Sequence, residues 1–323
     1  MISVNFIILG KTNQRVSSIS LGTWSYGGAN LSGKTPVGWA NQEDEDSQQA
    51  LQTAYDAGIN HWDTADVYGN GKAEQIIGSM WGSIPRKDIF LATKVGWDMG
   101  KYKHWYHPEH MRYQMESSLE RLKTDCVDLL YLHHCNFGEQ DEYFDDATET
   151  LRRFQNEGKT KFIGLSDWDS YKIMKFIERC QPDVVQPYRN VWDDTYDSSG
   201  LKHYIEKNNL GVCFFSPLMH GLLTGKYSEP VTFEEGDFRE NVDAFKKRSV
   251  IEKMRKNATL LKKRFNNHPH PTMHGVIDTL ISDSKNSCVL LGQRNSDQVN
   301  TAKSLGVTMT EEDIIWVKSL YKH

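Results

Sequence analysis

From residue 19 onward, short runs of β-branched and aliphatic residues alternate with longer segments whose apolar positions recur every three or four residues. The short runs are Ile19 to Gly22, His61 to Asp63, Ile89 to Lys94, Cys126 to His133, Lys161 to Ser166, Asp183 to Gln186, Gly211 to Phe215 and Cys288 to Gly292. Bounded by Gly, Asn, Asp and Pro, they predict strands, and the periodic segments between them predict amphipathic helices. One such helix covers Asp46 to Ala57 and stops at Gly58. Parallel neighbours need a crossover that a helix usually supplies, so the alternation implies a parallel sheet. Eight units predict a closed (β/α)8 TIM barrel of the α/β class. An open doubly wound sheet would carry a Gly-x-Gly-x-x-Gly turn after its first strand. Here Thr23-Trp24-Ser25 follows instead.

Ahead of the barrel, Phe6 to Leu9 and Arg15 to Ser18 flank Gly10-Lys11-Thr12-Asn13-Gln14, the pattern of an N-terminal β-hairpin placed to plug one barrel end. Two long irregular stretches, Trp97 to His107 and Tyr227 to Asp243, follow the third and seventh strands, and loops of that length are usually functional. In Asn266-Asn267-His268-Pro269-His270-Pro271 two prolines enforce a turn, with no ligand role for the histidines.

Composition narrows the class. No apolar run approaches the roughly 18 residues that would span a membrane. Met1 to Leu9 lacks a basic segment followed by a long apolar core, so the expected location is the cytoplasm. Five cysteines, Cys126, Cys135, Cys180, Cys213 and Cys288, are odd in number and form no Cys-x-x-Cys pair, which fits reduced thiols and neither a disulfide frame nor a zinc site. A formal charge of -5 argues against nonspecific nucleic-acid binding. The basic stretch Lys246 to Arg264 has helical apolar spacing and reads as a solvated helix face. Nothing in the sequence encodes an oligomeric state.

In a β/α barrel, catalytic groups come from the carboxyl ends of several strands. Asp63 ends the second strand, Tyr68 lies on the loop above it, Lys94 ends the third strand and His133 the fourth. Taken alone, Asp63 and Tyr68 read more readily as a capping carboxylate and a surface phenol. Their context changes that. Gly58-Ile59-Asn60-His61-Trp62-Asp63-Thr64-Ala65-Asp66-Val67-Tyr68-Gly69 resembles the signature of the aldo-keto reductases, Gly-x-Asn-x-aromatic-Asp-Thr-Ala-x-x-Tyr-Gly, without a gap. Further strings similar to that family follow in order: Leu21-Gly22-Thr23-Trp24, Ala92-Thr93-Lys94-Val95-Gly96, Val127-Asp128-Leu129 running to His133, Gly164-Leu165-Ser166, Phe215-Ser216-Pro217-Leu218, Gly225-Lys226-Tyr227 and Leu291-Gly292-Gln293-Arg294. The resemblance covers nearly the whole chain and implies one barrel domain, residues 1–323.

It also implies reduction of an aldehyde, ketone or sugar carbonyl by a nicotinamide nucleotide. Charge builds on the carbonyl oxygen as hydride arrives, so a positioned acid is needed, and Tyr68 is the candidate. A phenol is a weak acid, and Lys94 is expected to stabilise its anion, with Asp63 keeping the lysine charged. His133 would donate to the carbonyl oxygen. His134 competes with it, since adjacent strand residues face opposite sides, but the family spacing from Asp128 selects His133.

Family contacts imply that Gly22, Thr23 and Trp24 lie near the nicotinamide, Ser166, Asp167 and Gln186 at its carboxamide, and Phe215 on its face. Ser216, Leu218, Gly221 and Lys226 would line the pyrophosphate, and Gly292, Gln293, Arg294 and Gln298 the adenosine phosphate. A guanidinium suits a 2′-phosphate, so Arg294 favours NADP(H), with NAD(H) as the alternative. Three positions depart from the family pattern: Asp167 where Asn is usual, Thr301-Ala302 where Glu-Asn is common, and Arg189 in place of an uncharged aromatic. Aromatic mouth loops carrying Trp24, Trp39, Trp97, Trp105, Tyr106 and Trp168 suit a small carbonyl compound or sugar. Two other functions remain open: a non-catalytic nicotinamide-binding regulatory subunit of this fold, and a metal-dependent hydrolase using His61, His133, His134 and Asp63. An NAD-dependent sugar or alcohol dehydrogenase is a variant of the first reading.

Overall fold

The computed structural model describes residues 4–322. An antiparallel hairpin of β1 (Phe6–Ile8) and β2 (Arg15–Ser17) opens the chain. Next come β3 (Ile19–Gly22), a small hairpin of β4 (Leu31–Ser32) and β5 (Thr35–Pro36), and β6 (His61–Asp63). The remaining strands are β7 (Phe90–Val95), β8 (Val127–Leu132), β9 (Thr160–Asp167), β10 (Val184–Pro187), β11 (Gly211–Phe214) and β12 (Ser287–Gly292). Strands β3 and β6 to β12 pair in parallel and close into a barrel in which β12 returns to β3. All eight predicted barrel strands are present, with ends shifted by a residue or so. The β4/β5 hairpin, inside what the sequence presents as a mouth loop, is additional.

Helices α1 (Asp44–Ala57), α2 (Lys72–Ser79), α3 (Pro108–Leu122), α4 (Phe144–Asn156) and α5 (Ser170–Cys180) wrap the barrel from outside. Helix α1 starts two residues before its predicted edge, with Asp44, Glu45 and Asp46 in the first turn where carboxylates favour the helix dipole. It ends at Gly58, whose φ of 87° lies in the left-handed region that glycine enters at little cost.

Two apolar cores result. One fills the layer between strands and helices, including Leu51, Trp62, Ile77, Met115, Phe154 and Phe176. The other fills the barrel: Leu9 and Val16 from the first hairpin meet Phe90, Leu129, Tyr131, Val184, Cys213 and Cys288. The hairpin therefore plugs the barrel's amino-terminal end and leaves the opposite mouth for chemistry. The five cysteines are free thiols.

Candidate active site

Strand alternation sends Asp63 and Lys94 into the mouth. Register places Asp63 opposite Ala92 and Lys94 opposite Tyr131, so neighbouring strands bring carboxylate and amine together. Both side chains are buried, at 0% and 1% exposure, so neither charge has water to stabilise it. The amine meets three acceptors: Asp63 Oδ1, the Thr64 carbonyl at 2.7 Å and Tyr68 Oη at 3.3 Å. Gln186 Nε2 donates to Asp63 Oδ2 at 2.8 Å, and Thr23 Oγ1 donates to the Asp63 carbonyl at 3.0 Å. Strands β3, β6, β7 and β10 thus lock one ion pair against the phenol.

The electrostatics correct one expectation. Burial pushes the Tyr68 phenol above its ordinary range, and Lys94 offsets only part of that rise while Asp63 adds to it. The phenol is not acidified; it is a firmly protonated donor. Burial would likewise strip the proton from Lys94, but Asp63 and then Tyr68 outweigh it and hold the amine above its usual value. His133 is driven well below the usual imidazole range by burial, with Lys94 next, so its ring is neutral. That ring stands edge-on to Tyr68 with centroids 5.8 Å apart, its Nδ1 buried without a protein partner. His134 faces away from the mouth: its Nε2 meets the Gly96 carbonyl and its Nδ1 accepts from the Asn136 amide at 3.2 Å. The four side chains expected to converge, Asp63, Tyr68, Lys94 and His133, do so.

An aromatic roof extends from this cluster. Trp24 stacks on Tyr68 with centroids 6.0 Å apart and meets Trp39, His220 and Phe238. Phe238 continues to Trp168, and Trp168 stands edge-on to Phe215 at 4.8 Å. Trp97 covers His133 at 6.0 Å. Sequence reasoning missed His220 and Phe238; the signal was the long loop after the seventh strand that contains Phe238. That loop is latched to the β4/β5 region. Phe238 N donates to the Gly38 carbonyl at 2.8 Å, and Asp237 accepts from Ala40 N and from the Arg239 guanidinium, which lies over Trp39.

The sequence model of the aldo/keto reductase family matches residues 18–322. The chain belongs to that family. It is 26% identical over 314 residues to the aldo-keto reductase YhdN of Bacillus subtilis, covering 96% of this chain and 91% of the relative. It is 29% identical over 262 residues to a probable voltage-gated potassium channel subunit beta of Oryza sativa, covering 76% of this chain and 73% of that protein. Among solved structures, the glycerol dehydrogenase AKR11B4 from Gluconobacter oxydans superposes with a TM-score of 0.79 at 26% identity, over 99% of this chain and 94% of that one.

Aldo/keto reductases use nicotinamide cofactors, and the residues beyond the aromatic roof fit one. Phe215 offers a half-buried ring at the end of β11. After it, Ser216, Met219, His220 and Gly221 all take positive φ (55°, 47°, 58° and 93°). Non-glycine residues in that region cost of order 1–3 kcal/mol each and cluster at ligand clamps. Lys226 is exposed beside this turn, where a cation suits phosphate oxygens. Gly22 pairs with Asp63 and Gly292 in the barrel, and Leu218 packs on the outer core.

Other expected contacts are already engaged within the protein. Gln186 serves the carboxylate of Asp63, as above. Ser166 lies opposite Gln186 in register, and both Asp167 carboxylate oxygens accept backbone N–H groups, from Cys135 at 2.6 Å and Asp169 at 2.8 Å. Gln293 donates to the Ser20 carbonyl at 3.2 Å, turned into the barrel wall, and Gln298 accepts from the Arg294 amide at 2.9 Å. The Arg294 guanidinium donates to Gln42 Oε1 at 2.8 Å and to the Ala40 and Asn41 carbonyls. Arg189 is fully buried away from the mouth, paired with Asp283 and Asp197 and lying over the Tyr196 and Phe214 rings.

Of the histidines invoked for a metal hydrolase, His133 joins the Asp63 cluster, but His61, His133, His134 and Asp63 do not form a group with ligand-like spacing. Among the described residues, the groups with ligand-like spacing are His61–Cys213–Cys288 inside the barrel and His268–His274–Asp278 near the outer helices. In the first, His61 Nδ1 is 2.7 Å from Ser20 Oγ; in the second, His268 Nε2 meets the Ser304 carbonyl and its Nδ1 accepts the His270 amide.

Proposed function

We propose that this protein is a nicotinamide-dependent reductase of aldehyde, ketone or sugar carbonyls, with Tyr68 as proton donor. The nucleotide supplies the hydride when bound. Everything else is the protein's task. Tyr68 Oη delivers the proton to the carbonyl oxygen, and Lys94, 3.3 Å away, stabilises the phenolate left behind. Asp63 keeps Lys94 charged through the reaction, because an unpaired buried amine would shed its proton. Neutral His133 offers a hydrogen bond to the same oxygen and orients it. The aromatic roof excludes water, which strengthens each of these interactions.

The observation that carries the reading is the Tyr68–Lys94–Asp63 chain, a buried ion pair beneath a half-buried phenol at the mouth. The intact Asp63, Tyr68, Lys94 and His133 cluster favours a reductase over a non-catalytic regulatory subunit. NADP(H) is preferred to NAD(H) because Arg294 stands just beyond β12, although its guanidinium must exchange the Ala40, Asn41 and Gln42 acceptors for a 2′-phosphate. Arg239, which lies over Trp39 beside the roof, is already paired with Asp237, and this favours an uncharged substrate over a phosphorylated one. We read residues 1–323 as one domain working in the cytoplasm.

The test is Tyr68→Phe. Reduction of a generic aldehyde such as 4-nitrobenzaldehyde should fall at least about a hundredfold. NADPH binding, followed by tryptophan fluorescence, should survive. Near-normal turnover would remove Tyr68 from the acid role.

A further inference from the structure

Behind the Tyr68 loop lies a second buried polar cluster that the chemistry above does not use. Asp66 is 3% exposed and sits in the turn between Asp63 and Tyr68. Its amide donates to the Lys94 carbonyl at 3.2 Å, and its Oδ2 accepts from Gln114 Nε2 of α3 at 3.0 Å. Its Oδ1 is buried with no partner. The residue thus ties the phenol's turn to the strand that carries the lysine on one side and to an outer helix on the other.

The charges around it do not balance if Asp66 is ionised. Glu74 of α2, fully buried, accepts from Thr93 Oγ1 at 2.7 Å and pairs with Arg121 of α3 at 2.7 Å. Arg121 gives its other bond to Ser118 and makes no hydrogen bond to Asp66. Lys94 is committed to Asp63. Tyr68 and Tyr106 face Asp66 as neutral phenols and gain nothing from an anion there. One guanidinium therefore confronts two carboxyls, and a buried unpaired carboxylate costs too much to persist. Glu74 keeps the charge because it holds the direct ion pair.

We propose that Asp66 is a positioning residue for Tyr68, held as the neutral acid behind the Val67–Gly69 turn, and that its ionisation suppresses proton delivery. The proposal rests on Tyr68 being the acid. Burial first, then the Glu74 charge, lifts the Asp66 carboxyl to about 8, with Arg121, the Gln114 bond and the Val67 amide opposing. Loss of its proton places an uncompensated negative charge facing Tyr68, which raises the phenol further and weakens it as a donor. The same charge strains a turn that fixes the distance from Tyr68 Oη to Lys94 Nζ.

The experiment compares pH profiles of NADPH-dependent 4-nitrobenzaldehyde reduction from pH 6 to 10 in the wild type, Asp66→Asn and Asp66→Ala. In the wild type kcat should fall about fivefold between pH 8 and 9, and about tenfold per unit above that, as expected where the protonated form of a group titrating near pH 8 is required. Asp66→Asn keeps the acceptor for Gln114 but cannot ionise, and should lack that limb. Asp66→Ala loses the anchor, and should lower kcat several-fold at every pH with little change in KM. Infrared difference spectra of wild type minus Asp66→Asn should show a protonated carboxyl stretch at pH 7 that vanishes by pH 9. A limb that persists unchanged in Asp66→Asn, or no carboxyl band at pH 7, overturns the proposal. Tyr68→Phe, run in parallel, separates the two ideas: an inactive Tyr68→Phe with an unaltered Asp66→Asn profile sinks only Asp66, whereas an active Tyr68→Phe sinks the acid assignment itself.

Discussion

Replacing Lys94 by Met should affect stability and catalysis in ways that separate a working ion pair from a packing accident. Lys94 and Asp63 are both buried, and the carboxylate keeps only Gln186 as a side-chain donor once the amine is gone. Two unit charges about 4 Å apart at an effective dielectric near 20 attract by roughly 4 kcal/mol. Breaking a buried pair by removing one partner costs about 3–5 kcal/mol, in agreement. For a chain of this size each kcal/mol moves the unfolding midpoint by about 2 °C, so Lys94→Met should lower Tm by about 6–10 °C. Asp63→Asn should do the same from the other side. The double variant contains no stranded charge and should lie within about 2 kcal/mol of the wild type, a coupling of several kcal/mol.

Activity follows a parallel logic. Without the amine, nothing offsets the burial penalty on the phenolate, and carbonyl reduction by Lys94→Met should fall about 10²- to 10⁴-fold. Tyr68→Phe/Lys94→Met should be no slower than the worse single variant, because residues that act as a unit fail as a unit. Thermal unfolding can be followed by the nine tryptophans, and turnover by nucleotide absorbance. Stability losses that simply add in Lys94→Met/Asp63→Asn, or a Lys94→Met enzyme close to wild-type speed, would refute the reasoning.

Two further outcomes follow from the same geometry. In the alcohol-oxidising direction Tyr68 must act as phenolate, and since burial holds its pKa above the usual phenol value, oxidation should climb about tenfold per pH unit from neutrality to pH 9; a flat profile over that range removes Tyr68 as the base. Arg294→Ala should weaken NADPH binding by about tenfold or more while leaving NADH within about twofold, read by tryptophan fluorescence titration; equal losses for both nucleotides would assign the guanidinium to its clamp on Ala40, Asn41 and Gln42 alone.

The barrel was legible because its determinants are local. Short β-branched and aliphatic runs, separated by amphipathic segments, located all eight strands, and strand-end placement brought Asp63, Lys94 and His133 to one mouth with Tyr68 above them. The first hairpin was visible through its glycine turn. What escaped was whatever depends on partners distant in sequence. The β4/β5 hairpin has only two residues per strand and is held by the Gly38–Asp237 bridge, almost 200 residues away in the chain. Arg189 is fully buried because Asp283, Asp197 and two aromatic faces surround it, and no local pattern announces that. Gln186, expected beside a cofactor amide, also donates to Asp63 across the barrel, a partner 123 residues away in the chain.

The sign of the Tyr68 shift shows where such reasoning needs coordinates. A lysine beside a phenol predicts an acidified phenol, since an opposite charge favours the ionised form. Burial of the same phenol acts in the opposite direction, and the sequence gives no measure of depth. Here Asp63, needed to keep Lys94 charged, also faces Tyr68 and cancels part of the lysine's field. On the proposed reading the site is poised for donation: the proton would stay on Tyr68 until a developing alkoxide, far more basic than any group in the resting pocket, draws it off. Lys94 then matters less for the resting pKa than for the anion that remains, which is why its removal should damage turnover more than a single perturbed titration would imply.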